Sequence, residues 1–233
     1  TIVRKEEKVL IPCGIPYTLY TVDGPENNII ADEAATGKGI ELIINEVIHI
    51  DRQNKKVKLK DGEMIEYEKL VLGVGSTPFL PPVQGADLDN VYTVKKDFQS
   101  LKEMKEKVKS FKEIVIIGGG FIGVEFADEI RKNEGTNVTI VEILKNVLSL
   151  VCDDALCKKA EDKLKSNGVN VKTNSKVVEI MGDKKVEKVK LESGEEIPAE
   201  LVIIATGVVP NTNLAKEAGL EIGPRGHIIV DDH

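Results

Sequence analysis

The chain has 233 residues, 41% of them hydrophobic and 30% charged, with a net charge of −7. That is enough apolar material for the cores of one or two domains, and the acidic balance with interspersed Lys and Glu excludes a nucleic-acid surface. No apolar run reaches membrane-spanning length, no signal peptide is visible, and three widely placed cysteines speak for a reducing cytoplasm over a disulfide scaffold.

Thr1 to Arg4 reads as a strand end, and the chain stops at Val230-Asp231-Asp232-His233 without a closing element, so both ends look cut. Lys5 to Lys8 is a polar turn, and Val9 to Leu19 carries Cys13-Gly14-Ile15-Pro16-Tyr17. Pro25 to Gly39 reads as loop and helix, and Ile40 to Val47 as a strand. Val47 to Asp51 and Lys55 to Leu59 alternate as strands do, and Asp61-Gly62 marks a hairpin turn. Leu70 to Val74 is a short continuous apolar run, the mark of a buried strand. Pro78, Pro81 and Pro82 then make an extended connection. A new unit is expected near Val94, with a helix over Leu101 to Val108 whose Lys and Glu form a solvated face. Strand (Glu113–Ile117), helix (Phe121–Lys132), strand (Asn137–Glu142), helix (Asp153–Asn167) and strand (Val169–Thr173) follow, an alternation that implies a parallel sheet with right-handed crossovers. Val177 to Met181, Val186 to Leu191 and Glu196 to Pro198 read as an antiparallel meander, and Glu200 to Ala205 as a second buried strand.

The most informative stretch is Ile114-Val115-Ile116-Ile117-Gly118-Gly119-Gly120-Phe121-Ile122-Gly123-Val124-Glu125. An apolar β-branched strand enters a Gly-x-Gly-x-x-Gly turn and then a helical pattern, and a second apolar run ends on Glu142 about twenty residues later, the spacing of a dinucleotide site. Gly118 permits the tight turn, Gly120 lets backbone approach a pyrophosphate, and Gly123 lets helix pack on strand. The N–H groups of the helix start, at Phe121 and Ile122 among others, face the phosphates. Glu142 accepts from a ribose 2′-hydroxyl, which favours NAD over NADP. The alternative is a glycine-rich loop with no ligand. The stretch Tyr67 to Pro78 also echoes Ala199 to Pro210: each has a hairpin pattern, a strand, a glycine and a proline in the same order, so two similar α/β units are expected.

The central Gly-Gly-Gly-Phe-Ile-Gly-Val-Glu, the downstream Ala205-Thr206-Gly207-Val208-Val209-Pro210-Asn211, the upstream Leu72-Gly73-Val74-Gly75-Ser76-Thr77-Pro78 and Cys13-Gly14-Ile15-Pro16-Tyr17 together resemble the pyridine nucleotide–disulfide oxidoreductases. The set is most similar to their single-cysteine branch of coenzyme A-disulfide reductases, NADH oxidases and NADH peroxidases. The resemblance implies an α/β protein of two Rossmann-like, glutathione-reductase-like domains, each a parallel sheet with an antiparallel meander. Residues 1–93 would be a partial, discontinuous FAD-binding domain, 94–211 the NAD(P)H-binding domain, and 212–233 the return to the first. It implies FAD and NAD as cofactors, with NADH preferred, and places Val47, Gly73, Gly75 and Gly207 against them. It implies a flavin-dependent NADH oxidoreductase that passes electrons through Cys13 to a small-molecule disulfide, a polysulfide or oxygen, with a homodimer for the full-length protein. Three departures stand out. The family's first Gly-x-Gly-x-x-Gly has no counterpart here, Arg4 sits where an acidic residue for the FAD ribose is expected, and Gly73-Val74-Gly75 stands where the upstream motif usually has Ala-Thr-Gly.

Cys13 is the candidate catalytic thiol: its thiolate would attack a disulfide or cycle through sulfenic acid. The alternative is a buried structural cysteine. Cys152 and Cys157 lack a matching ligand pair and read as packing residues, so no metal site is expected. Glu125 is read on the first turn of the dinucleotide helix, complementing its dipole, and the resemblance adds a catalytic place near the nicotinamide. By the same resemblance Phe121 sits where an aromatic covers the nicotinamide pocket; the alternative is packing in the core. His49, His227 and His233 have no paired carboxylate in sequence and receive no catalytic role. Two other functions stay open: electron transfer to a rubredoxin- or ferredoxin-type partner without a redox cysteine, and a nucleotide-binding module without turnover.

Overall fold

A computed structural model describes residues 1–232; His233 lies outside the described residues. The first part of the chain gives β1 (Ile2–Arg4), β2 (Val9–Leu10), β3 (Ile29–Ile30), α1 (Glu33–Thr36), β4 (Leu42–Ile44), β5 (Val47–Asp51), β6 (Lys56–Leu59), β7 (Met64–Glu66) and β8 (Ser76–Pro78). Then come β9 (Val91–Thr93), α2 (Phe98–Ser110), β10 (Glu113–Ile117), α3 (Phe121–Ile130), β11 (Asn137–Val141), α4 (Asp154–Ser166) and β12 (Val169–Lys172). The last part gives β13 (Val177–Met181), β14 (Lys188–Leu191), β15 (Glu196–Pro198), β16 (Leu201–Ile204), β17 (Val208–Pro210) and α5 (Asn213–Glu217).

Two compact units result. The larger joins Leu10–Ile29 to Pro78–Gly207. Its centre is a parallel sheet in the order β12-β11-β10-β16-β9. Because successive side chains point to opposite faces of a strand, β10 serves two cores. Ile114 and Ile116 pack with Leu101, Met104, Val108, Phe126, Ala127, Ile130 and Leu164 from the helices. Val115 and Ile117 pack with Ile180, Val189, Leu191 and Ile197 of the meander β13-β14-β15. The layers are helices, sheet and meander. Asp97 caps α2 through the Ser100 N–H (2.7 Å), and Asp153 caps α4 through the Leu156 N–H (2.8 Å), each worth about 1 kcal/mol.

The smaller unit is Thr1–Val9, Ile30–Thr77 and Val208–His233. It holds the two-stranded parallel pair β1-β4 and the antiparallel meander β5-β6-β7. The internal echo is visible in its register. Val57 faces Ile65 as Val189 faces Ile197, the inner strands are both Lys-Val-Lys-Leu, and a register shift opens each meander at Val47/His49 and Val177/Glu179.

Three expectations change. Leu70–Val74 forms no strand, and Val71 is 90% exposed; an apolar run becomes a strand only where neighbours supply a ladder, and this run has none among the described residues. The expected boundary at 94 moves to Pro78, because Val91–Thr93 pairs with Val202–Ile204 as the edge of the large sheet. Residues 10–29 leave the expected first domain. Leu10, Ile15 and Leu19 are buried in the helix-side core, where each contributes about 2 kcal/mol of apolar burial.

Candidate functional site

The turn between β10 and α3 assigns its glycines different tasks. Gly118 has φ +110°, and a Cβ there would stand 2.5 Å from the Ala205 carbonyl. A Cβ at Gly123 would stand 1.9 Å from the Gly118 carbonyl, so the helix lies on the turn itself. Gly120 has an ordinary φ of −73°, and a Cβ there would meet nothing within 4 Å. Gly118 and Gly123 are required by the fold, whereas Gly120 leaves open space beside the turn. Gly120 also caps α3 with no side-chain hydrogen bond, and the first N–H groups of a helix have no partner within it. Ile122 packs its side chain against the core.

Glu142 follows β11 and is 8% exposed. Its Oε2 accepts from the Gly119 N–H at 2.5 Å and its Oε1 from the Leu144 N–H at 2.8 Å, which fixes the carboxylate beside the glycine turn. Leu148, in the left-handed region at φ +59°, donates its N–H to the Gly119 carbonyl at 2.8 Å. A bulky residue holds that conformation only where surrounding structure imposes it. Gly207, with φ +113° and open space at its Cβ position, follows β16. Gly118, Glu142 and Gly207 thus gather at the carboxyl ends of β10, β11 and β16. The chain leaves β10 toward β11 on one side while β16 returns on the other, the switch point at which open α/β sheets bind ligands.

Phe121 is 55% exposed, so the core-packing alternative does not hold. Glu125 is the fifth residue of α3 and no acidic residue occupies the first turn, which corrects the dipole role expected for it: the dipole's effect fades within that turn. Burial pushes the Glu125 carboxyl above its usual range, partly opposed by a long 3.5 Å hydrogen bond from the Tyr17 hydroxyl. The Tyr17 hydroxyl is raised in turn, first by the Glu125 charge and then by burial.

Cys13 is exposed, on the short 3-10 turn Pro12–Gly14, which removes the reading as a buried structural thiol. Its segment is held at the base, where Ile11 N–H donates to the Asn28 carbonyl (2.9 Å) and Asn28 Nδ2 to the Ile11 carbonyl (2.9 Å). The far end meets Glu129 of α3, which is 1% exposed. That carboxylate accepts from the Thr21 N–H (2.9 Å), the Thr21 hydroxyl (2.5 Å) and Lys132 Nζ, and Lys132 also donates to Thr21 Oγ1 (2.7 Å). The sequence reading missed Thr21, Glu129 and Lys132. The signal was three carboxylates on α3, Glu125, Asp128 and Glu129, of which Glu125 and Glu129 form an i,i+4 like-charge pair that disfavours the helix unless outside partners compensate.

Burial alone would raise the Glu129 carboxyl, but the bonds from Lys132 and Thr21 outweigh it and hold it below the usual value of 4.5. A carboxylate lowered on folding adds stability that is complete above its unfolded value and is lost as pH falls through the folded one. Glu129→Gln should therefore cost about 1–3 kcal/mol at pH 7 and progressively less below pH 4.5. Urea unfolding of both proteins at neutral and acid pH reads this, and a gap that stays constant with pH contradicts it.

Cys157 is buried, its thiol raised by that burial and its Sγ 3.6 Å from the Cys152 carbonyl, a packing role as expected. Among the described residues no His, Cys, Asp or Glu cluster could hold a metal. In the smaller unit, Gly73 and Gly75 have open Cβ positions, Gly75 with φ +66°, and Val47 is half-buried at the start of β5. This leaves room for a ligand at the two glycines. Arg4 is engaged by Asp32 (2.6 Å) and by the carbonyls of Glu6 and Glu7 (2.9 and 3.1 Å).

Comparison with known proteins gives three informative relatives. The chain is 37% identical over 227 residues to a Pyrococcus horikoshii NAD(P)H coenzyme A polysulfide/persulfide reductase, covering 95% of the chain and 50% of that protein. It is 33% identical over 232 residues to a Methanocaldococcus jannaschii NADH oxidase, covering 95% and 51%. The crystal structure of a Rhodopseudomonas palustris ferredoxin reductase superposes with a TM-score of 0.90 at 28% identity, covering 98% of the chain and 56% of that structure. The chain spans about half the length of the curated relatives it matches. A family profile described as pyridine nucleotide-disulphide oxidoreductase matches residues 1–233, and with the glycine turn, its acidic partner and the doubled α/β-plus-meander plan in place, the chain belongs to the pyridine nucleotide-disulphide oxidoreductase family.

Proposed function

We propose that this chain is the nucleotide-handling part of a flavin-dependent NADH oxidoreductase that reduces a thiol-linked acceptor through Cys13. The observation that carries the reading is the Gly118–Gly123 turn, with open space at Gly120 and the Glu142 carboxylate pinned beside it. The α3 N–H groups hold the pyrophosphate. Each Glu142 oxygen spends one lone pair on a backbone N–H and keeps another for ribose hydroxyls; a 2′-phosphate would face a fixed negative charge. Phe121 shields the nicotinamide end of the site from water, and Glu125 stands one turn further along α3. FAD is the second cofactor, approached in the smaller unit by Gly73, Gly75 and Val47, while Gly207 borders the dinucleotide site at the end of β16. When bound, the two cofactors supply the electron pair.

Cys13 does the acceptor chemistry. Its thiolate attacks one sulfur of a disulfide or persulfide, the S–S bond breaks, a mixed disulfide forms and the other sulfur leaves as thiolate or hydrosulfide; the electron pair supplied by the bound cofactors would then cleave the mixed disulfide, returning Cys13 to thiolate and releasing the second product. The acceptor class follows from the reductase resemblance and the exposed thiol; oxygen is the neighbouring choice, where an electron pair from the bound cofactors would take it to peroxide, whose O–O bond the Cys13 thiolate would break to give a sulfenic acid and water. Free thiols fit a reducing cytoplasm, and no helix among the described residues is long and apolar enough to cross a membrane. Assembly as a homodimer belongs to the same reading. The ferredoxin reductase likeness favours a second reading, electron transfer to a small iron–sulfur or rubredoxin-type protein with Cys13 as bystander.

Anaerobic titration of the full-length protein tests the first half. NADH should bleach flavin absorption bands, and a colourless protein, or one whose bands ignore NADH, ends the proposal. In the same assay Glu142→Ala should shrink the NADH-over-NADPH preference at least about tenfold; an unchanged ratio removes Glu142 from the ribose site.

A further inference from the structure

We propose that Glu129 is the positioning residue that fixes the Cys13 segment to the nucleotide-binding helix, so that thiol and dinucleotide site are carried by one rigid piece. The proposal rests on the thiol reading above. A carboxylate that is 1% exposed is costly unless fully bonded, and Glu129 spends its bonding on Thr21 of the thiol segment and on Lys132, which itself bonds Thr21.

The spacing of the contacts extends this. Glu125 and Glu129 are four apart on α3, and Tyr17 and Thr21 are four apart on the segment. Tyr17 meets Glu125, and Thr21 meets Glu129. The stretch between Cys13 and Thr21 is stiff. Consecutive turn bonds run Ile15 N–H to Pro12, Thr18 N–H to Ile15 and Leu19 N–H to Pro16, and the Thr18 hydroxyl adds a 2.7 Å bond to the Ile15 carbonyl. Ile15 and Leu19 are buried beneath it. A tether at Thr21 therefore restrains the thiol eight residues upstream. The same helix offers its N-terminus to the pyrophosphate about two turns away, so the tether sets where the thiol segment stands relative to that site.

The test uses the full-length protein with Glu129→Gln, Glu129→Asp and the milder Thr21→Val. Two quantities are read: kcat and KM for NADH with a disulfide acceptor, and the rate at which iodoacetamide alkylates Cys13, followed by peptide mass spectrometry. Glu129→Gln should lower kcat at least about tenfold with KM for NADH within twofold, and raise Cys13 alkylation about fivefold. Glu129→Asp should recover part of both, and Thr21→Val should move both in the same direction as Glu129→Gln. Variants with wild-type circular dichroism, kcat and alkylation rate would overturn the proposal. If Glu129→Gln does not fold, Thr21→Val decides alone. A Cys13→Ser control separates the two ideas: normal turnover there removes the thiol mechanism, while an alkylation rate that responds to Glu129 still reports the tether.

Discussion

Cys13→Ser in the full-length protein is expected to lower turnover of a disulfide or persulfide acceptor about 1,000-fold or more, while NADH still bleaches the flavin at close to the wild-type rate. A serine hydroxyl has nearly the shape of the thiol but none of its thiolate character, so removing the sulfur removes the nucleophile and leaves the dinucleotide site untouched. The exposed 3-10 turn that carries Cys13 makes this clean: the side chain supports no core contact, so stability should change by less than about 0.5 kcal/mol. The half-reactions separate the proposals. Flavin reduction retained with acceptor turnover lost supports the thiol route. Acceptor turnover retained in full removes the thiol route and leaves Cys13 a bystander.

Two glycines of the turn should weaken NADH binding alike when substituted, but differ in their effect on stability. At Gly123 an added methyl would stand 1.9 Å from the Gly118 carbonyl, with no flexible side chain to give way. Gly123→Ala should therefore cost about 2–3 kcal/mol by overpacking and weaken NADH binding through a displaced helix start. At Gly120 the methyl meets nothing and φ is ordinary. Gly120→Ala should leave unfolding within about 0.5 kcal/mol of wild type yet weaken NADH at least about tenfold, because the methyl enters the space a pyrophosphate would fill. Denaturant unfolding beside NADH titration reads both. If Gly120→Ala binds NADH normally, the open space at that turn is not the ligand's.

The part of the fold legible in the sequence was the part written locally. Glu113–Ile117, Val177–Met181 and Glu196–Pro198 form strands at the expected residues, because each is a short β-branched or alternating run bounded by turn residues. Gly118, Gly120, Gly123 and Glu142 were identifiable because their spacing encodes one strand–turn–helix–strand unit. Leu70–Val74 was not legible, since the same apolar composition gives a buried strand at Leu201–Ile204, where β9 and β10 flank it, and an exposed irregular stretch where nothing does. Nor was the placement of residues 10–29. Sequence order puts them with the smaller unit; burial of Ile15 and Leu19, and the bond from Thr21 to a carboxylate 108 residues away, put them in the larger one. Long-range pairing of this kind leaves no mark on local periodicity.

The larger unit's main stretch begins and ends at one place: the Phe79 N–H bonds the Gly207 carbonyl at 2.9 Å, and the Thr206 hydroxyl bonds the Phe79 carbonyl at 3.1 Å. Viewed from that seam, residues 78–207 resemble a cassette that could be lifted out and transplanted. The thread from Leu10 to Ile29 means the cut would not be clean. A graft taken at the seam alone would carry a bare oily scar where Ile15 and Leu19 had lain and a Glu129 carboxylate left with Lys132 as its remaining partner, so a portable version has to bring that thread with it or be rewritten at those positions.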